Sequence, residues 1–258
     1  MRNKGITGST LKIVAMVAML IDHIGATIFA RMLMATGLND MDTTNTEAVM
    51  EWVSANADAY GTYTICRMIG RIAFPIFCFL LVEGFKHTSD AKKYVIRLAA
   101  FALISEVPFD LAFQSKVLEF TYQNVFFTLV IGFVTLIAYK KVEEKEFQNR
   151  FTQILCQILV GMIGMAAAQF LRTDYGAVGV LAIVLFYVLR DNRFYQIASG
   201  CVLFIEEMTA LFAFLPIMIY NGKRGSNVKW AFYIFYPAHL LILFAICYFM
   251  GLAGYSAI

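Results

Sequence analysis

Apolar residues dominate the chain in long runs, broken at short intervals by clusters of charge, Gly, Asn and Asp. The runs fall near 11–36, 64–85, 94–113, 122–139, 152–171, 175–190, 194–207, 208–220 and 230–252. Most are as long as a helix that crosses a bilayer, about 20 residues, and far longer than a strand. The pattern predicts an all-α, polytopic transmembrane bundle of about nine spanning or re-entrant helices. The stretch 194–220 is the exception. It reads as one long tilted helix or as two short segments meeting at Glu206 and Glu207, and loop charge favours two.

Composition agrees. Of 258 residues, 60% are hydrophobic and 15% are charged, against about 45–50% and 25% in soluble domains. Nine segments with short connections use the whole length, so 1–258 is one domain. With Arg2 and Lys4 before it, the first run starts like a signal peptide, but Asp22 and His23 interrupt it and no small-residue cleavage pattern follows; it is expected to be a retained span.

Charge matters here for orientation. If the N-terminus is cytoplasmic and all nine segments cross, the inner loops hold Arg2, Lys4, Lys12, Lys86, Lys92, Lys93, Arg97, Lys140, Lys141, Lys145, Arg150, Arg190, Arg193, Lys223, Arg224 and Lys229. The first outer loop, 32–60, holds Asp40, Asp42, Glu47, Glu51 and Asp58 and no basic residue. That asymmetry predicts a multi-pass protein with its N-terminus inside. A net charge of +3 spread over small clusters offers no surface for nucleic acid. Cys66, Cys78, Cys156, Cys201 and Cys247 lie apart in apolar runs, as small core residues do, and suggest neither a disulfide framework nor a metal site.

Ionisable groups inside spans cost about 2.5–3.5 kcal/mol each on insertion scales and are functional candidates for that reason. Asp22 and His23 fall in the first segment, Arg67 and Arg71 with Glu83 in the second, Glu106 and Asp110 in the third, and His239 in the last. A packing lattice of Arg67 and Arg71 against Asp22, Glu106 and Asp110 is the structural alternative. Histidine is the residue that moves protons near neutral pH. His23 is the deepest of the three. His87 sits at the border, where a basic residue needs no special cause; His239, after Pro237, is read equally as site or packing.

Lys12 precedes His23 by eleven residues, which on a helix is about 20° from the same face and about 16 Å of rise. A cation at the inner mouth is thereby aligned with a histidine deep in the membrane, a spacing that suits a long ligand with an anionic head and a reactive tail. Asp22, about 100° away, is poorly placed to orient His23 from its own helix and is expected to meet Arg67 or Arg71 across the bundle. Motifs of zinc proteases, α/β-hydrolases, Walker NTPases and dinucleotide-binding folds are missing from the sequence. Gly176-Ala-Val-Gly179 reads as a helix start or packing feature.

Taken together, KIVAMVAMLIDHIG at Lys12 to Gly25, RMIGRIAFPIFCFLLVEGFKHT at Arg67 to Thr88, YVIRLAAFALISEVPFDLAF at Tyr94 to Phe113, NVFFTLVIG, DYGAVGVL, LPIMIYNGKRG and FYPAHL resemble the TraX family of bacterial integral membrane proteins. The resemblance implies N-acetylation of a conjugative pilin subunit. More distantly the chain looks like the membrane acyltransferases that O-acetylate surface sugars and the heparan-alpha-glucosaminide N-acetyltransferases. Their Arg, ten residues, then His is met here by Lys12 and His23, their Ser-Gly-Phe by Glu83-Gly84-Phe85, their paired arginines loosely by Lys93 and Arg97, and their Tyr-x-x-His by Tyr236 and His239. Lysine at position 12 offers a point charge in place of a bidentate fork, and Glu83 departs from the serine.

The resemblance thus implies a membrane acetyltransferase of the bacterial cytoplasmic membrane, drawing on cytoplasmic acetyl-CoA. Lys12, Lys93 and Arg97 would bind the donor phosphates. His23 would act as base, with Asp22 and His239 beside the chemistry and Arg67, Arg71, Glu106 and Asp110 shaping the acceptor pocket. The acceptor is a small membrane peptide or pilin amine, or alternatively a hydroxyl of an envelope glycan or lipid. A transporter or assembly scaffold is the non-enzymatic alternative. No metal is expected, and the sequence leaves self-association open.

Overall fold

A computed structural model describes residues 5–38, 41–226 and 229–256. Arg2, Lys4 and Asp40 of the charge pattern lie outside the described residues, as does the Lys229 side chain. Ten helical elements follow one another: α1 Gly8–Ala35, α2 Thr46–Ala55, α3 Ala57–His87, α4 Ala91–Gln114, α5 Val125–Glu144, α6 Arg150–Phe170, α7 Gly176–Val188, α8 Arg193–Leu203, α9 Met208–Met218 and α10 Lys229–Phe249. Five of them (α1, α3, α5, α6 and α10) are long and apolar enough to cross a membrane, while α7 and α9 are shorter apolar helices. The chain is an all-α integral membrane bundle.

Capping residues set the boundaries. Asn45, Asp90, Asn124, Asn149 and Asn192 each stand one position before a helix and accept backbone N–H groups of its first turn, to α2, α4, α5, α6 and α8 in that order. These satisfy donors that a helix start otherwise leaves unpaired. The carboxyl of Asp90, in the loop outside the spans, is held below the ordinary carboxylate range mainly by the Lys93 N–H.

α1 begins differently. Its Gly8 and Ser9 N–H groups donate to the carbonyls of Lys223 (2.8 Å) and Arg224 (2.9 Å), and Ile6 pairs with Ile219 and Asn221. The Asn221-Gly-Lys-Arg-Gly225 loop is thereby clamped onto the helix that carries Lys12. Gly225 is required there: φ is +73°, and a Cβ would meet Ser9 Oγ at 2.2 Å.

Two helices are interrupted where the polar residues lie. α1 widens to a π-turn at Gly25–Phe29, one turn after His23, with the Thr27 hydroxyl donating to the His23 carbonyl at 2.5 Å. α3 breaks at Arg71 and Ile72. The cause is Pro75, which has no N–H for the Arg71 carbonyl four residues earlier and whose ring crowds it.

Past the break α3 is the hub of the bundle, with Ile76, Cys78, Phe79 and Val82 fully buried. It packs against α1, α5 and α7; α4 packs against α5 and α10. α6 lies at the periphery, its Ile154, Leu155, Ile158, Leu159 and Ile163 exposed as a lipid-facing row.

The nine apolar segments each correspond to a helix. The stretch 194–220 resolves into α8 and α9, separated by the turn at Phe204–Glu207. The element not anticipated is α2, inside the acidic 32–60 segment, which has no buried residue.

Candidate functional site

His23 and His239 meet in the middle of the bundle, His23 Nδ1 lying 2.6 Å from His239 Nε2 with the rings within 6° of parallel. The second nitrogen of His239, Nδ1, is 2.7 Å from the carbonyl of Phe235. A carbonyl only accepts, so His239 Nδ1 carries the proton and, in the neutral ring, Nε2 has the lone pair. His23 therefore donates through Nδ1, and its Nε2 is left as a bare base. Residues 216 apart in sequence make a relay in which a helix carbonyl fixes one histidine and that histidine fixes the other. Phe113 and Tyr236 meet the His23 ring edge-on at 5.3 and 6.0 Å, and Phe235 stacks on His239.

His23 lines a cavity of about 140 Å³. Asp22, Arg67, Arg71, Tyr122, Asp174 and Tyr175 supply its polar wall. Arg67 Nη1 pairs with Asp22 at 2.7 Å, and Arg71 Nη1 with Glu207 at 2.9 Å. Gly70 allows the first pair to form, since a Cβ there would lie 2.0 Å from Asp22 Oδ1. The second Asp22 oxygen is buried and has no partner among the described residues.

Opposite, the Tyr122 hydroxyl donates to Asp174 at 2.6 Å. Asp174 and Tyr175 sit on a tight turn before α7 in which Tyr175 (φ 60°) and Gly176 (φ 42°) are both left-handed. For a bulky residue such as tyrosine that conformation is strained, and strain of this kind collects at ligand sites. The Thr128 hydroxyl holds the turn through the Asp174 carbonyl.

A second cavity, of about 550 Å³, opens at the end of the bundle where α1 begins. Lys12, Lys93, Arg97 and Arg224 line it together with Gly84, Tyr94 and Tyr233. Arg97 Nε donates to the Tyr233 hydroxyl at 3.1 Å, its guanidinium 4.9 Å from the Tyr94 ring centre, so the fork is pre-oriented. Lys93 and Arg224 are exposed, and Lys93 reaches Asp90 at 3.3 Å. Gly84 admits the Tyr94 ring, whose hydroxyl would lie 2.7 Å from a Cβ at that position.

The predicted residues thus divide into groups. Lys12, Lys93 and Arg97 share one cavity; His23, Asp22, Arg67 and Arg71 share the other, and His239 stands behind His23. Glu106 and Asp110 go elsewhere. Glu106 accepts from the Asn124 side chain and backbone, and Asp110 from the Glu119 N–H at 2.8 Å, both bracing the α4–α5 connection. Of the expected ion-pair lattice, the Arg67–Asp22 pair forms, and Arg71 pairs instead with Glu207.

Asp174, Tyr122 and Tyr175 were not anticipated at the site. Asp174 stands at the head of DYGAVGVL, where an acidic residue before a glycine-rich helix start looks like an ordinary turn. Arg224, though placed among the inner basic residues, was not singled out beside Lys12, Lys93 and Arg97.

Comparison with known proteins fits this architecture. The family model described as TraX protein matches residues 7–247, and the chain belongs to that family. It is 27% identical over 268 residues to the probable fimbrial assembly protein FimC, serogroup H1, of Dichelobacter nodosus, covering 94% of this chain and 96% of that protein. It is 21% identical over 192 residues to the uncharacterized protein RP591 of Rickettsia prowazekii (strain Madrid E), covering 74% of this chain and 59% of that one. No solved structure matches.

Proposed function

We propose that the protein is a membrane acetyltransferase that takes acetyl from cytoplasmic acetyl-CoA and passes it to an amine, such as the N-terminus of a pilin or other small membrane peptide. The observation that carries this reading is the alignment along α1: Lys12 in the large cavity, and His23, its Nε2 unprotonated, in the small one. Eleven residues of helix separate them by about 16 Å, a distance the pantetheine arm of CoA can span.

Lys12, Lys93, Arg97 and Arg224 bind the CoA phosphates, and the thioester is carried toward His23. The acceptor amine attacks the thioester carbonyl; the C–N bond forms and the C–S bond breaks. The proton lost by nitrogen goes to His23 Nε2 and then to the departing CoA sulfur. No acyl-histidine is needed. His239 is a positioning residue: it keeps the His23 proton on Nδ1.

The acceptor is read as an amine because Asp22 and Asp174 line the small cavity and one buried Asp22 oxygen has no partner among the described residues. That oxygen can hold an incoming ammonium and take its first proton, leaving the neutral amine that attacks the thioester. The fimbrial name of the Dichelobacter nodosus relative agrees. The basic end lies in the cytoplasm on this reading, which the distribution of Lys and Arg supports.

The test is direct. Purified protein given acetyl-CoA and a short apolar peptide with a free α-amine should yield the N-acetyl peptide by mass spectrometry and none from the amino-blocked peptide. Acetyl esters on a glycan acceptor with no amide product would move the reading to O-acetylation, and no product with either, in folded protein, would remove the enzymatic reading.

A further inference from the structure

The two cavities are built by the same helices in the same order. α1, α3, α4, α5 and α10 each give residues to both: Lys12 and His23, Gly84 and Arg67, Arg97 and Phe113, Leu129 and Val125, Tyr233 and Tyr236. They are therefore two chambers on one axis through the bundle. Among the described residues one side chain lines both, and it is Phe77. It lies just past the α3 break and is 8% exposed. Its ring centre is 5.0 Å from that of Phe232, a wall of the larger chamber whose ring has the Lys12 ammonium 6.0 Å from its centre.

Resting on the acetyltransferase reading, we propose that Phe77 is the partition between donor and acceptor chambers and the residue that sets how long an acyl group can be transferred. The thioester of a CoA whose phosphates are held at Lys12 must pass the Phe77 ring to reach His23. Beyond the ring, about 140 Å³ must hold the acyl group and the reacting end of the acceptor together, against Met19, Ala26, Phe109 and Phe113. A two-carbon acyl group meets that limit; a longer one meets the Phe77 ring behind it and the phenylalanines ahead. The ring also separates the chamber open to water from the thioester once it has advanced, which suppresses hydrolysis to acetate and free CoA.

Full-length wild type, Phe77→Ala, Phe77→Leu and Phe77→Trp are compared in detergent with acetyl-, propionyl-, butyryl- and hexanoyl-CoA. N-acyl peptide is measured, and so is CoA released without acceptor. Wild type should favour acetyl strongly. Phe77→Ala should reduce the acetyl-to-butyryl preference at least tenfold and raise acceptor-independent CoA release, and Phe77→Leu, which keeps the site apolar and filled, should lie between. Phe77→Trp should slow acetyl transfer at least tenfold while acetyl-CoA still raises the melting temperature.

Unchanged acyl preference and CoA release in folded Phe77→Ala and Phe77→Leu, with Phe77→Trp at the wild-type rate, overturns the partition and leaves the acetyltransferase reading standing. Failure of wild type to bind acetyl-CoA or acylate any amine overturns both.

Discussion

His239 makes two contacts with opposite requirements, a carbonyl at Nδ1 and an imidazole at Nε2, and between them they decide the protonation of a residue on another helix. His23→Ala should lower turnover at least 10²- to 10⁴-fold, the usual range for a positioned general base, with acetyl-CoA still stabilising the protein. His239→Ala should lower kcat and leave the KM for acetyl-CoA unchanged. His239→Gln, whose amide oxygen can accept from His23 Nδ1, should recover part of that loss, whereas a residue that only packs would show no such ordering. The depth of His23 and its register with Lys12 were legible in the sequence. The partner of His23 was not, because the pairing is made by packing α10 against α1, and no local pattern encodes it.

Helix α1 shows how an element can be right in its limits and still hide its chemistry. Hydropathy marks its extent, but not the π-turn after His23 or the fully buried Arg31 near its end. Arg31 meets no carboxylate among the described residues. Its guanidinium donates to the carbonyls of Leu111 and Ala112 at the C-terminus of α4 and of Leu252 beyond α10, with the Phe244 ring 5.7 Å away. The last carbonyls of a helix lack intrahelical donors and carry partial negative charge, so a cation there replaces the missing partners.

Hydrogen bonds of this charged kind contribute about 1.5–3 kcal/mol each. Arg31→Met should therefore lower the detergent melting temperature by roughly 5 °C or more, and should reduce activity by loosening Phe113 beside His23, without shifting acetyl-CoA selectivity. A Tm within a degree of wild type would show that the arginine is dispensable. α2 was missed for the opposite reason: it has a readable Asn45 cap but buries nothing, so its sequence resembles that of a polar loop.

Across the whole molecule, charge is sorted along one axis. Lys12, Lys93, Arg97 and Arg224 gather at one end, and the mixed Asp22, Arg67, Arg71 and Asp174 wall lies deeper. Lys12→Glu should weaken acetyl-CoA binding by at least tenfold, read as loss of ligand-induced thermal stabilisation, while the unliganded Tm stays near wild type because the position is at the mouth of a wide cavity. Asp174→Asn should raise the KM for the peptide amine and spare that for acetyl-CoA; the reverse pattern would place Asp174 on the donor side.

The apolar segments could be read from sequence because each follows from local hydropathy. The assignment of Glu106 and Asp110 to bracing contacts could not, since it depends on the path of the α4–α5 connection.

The deciding measurement is acetyl transfer in proteoliposomes of known orientation. Acetyl-CoA with a labelled acetyl group is supplied on the face exposing Lys12, Lys93 and Arg97, and a free-amine peptide on the other. Label should appear on the peptide with wild type and vanish with folded His23→Ala. Equal labelling by both proteins, or labelling only when donor and peptide share a face, would contradict transfer through the bundle at His23.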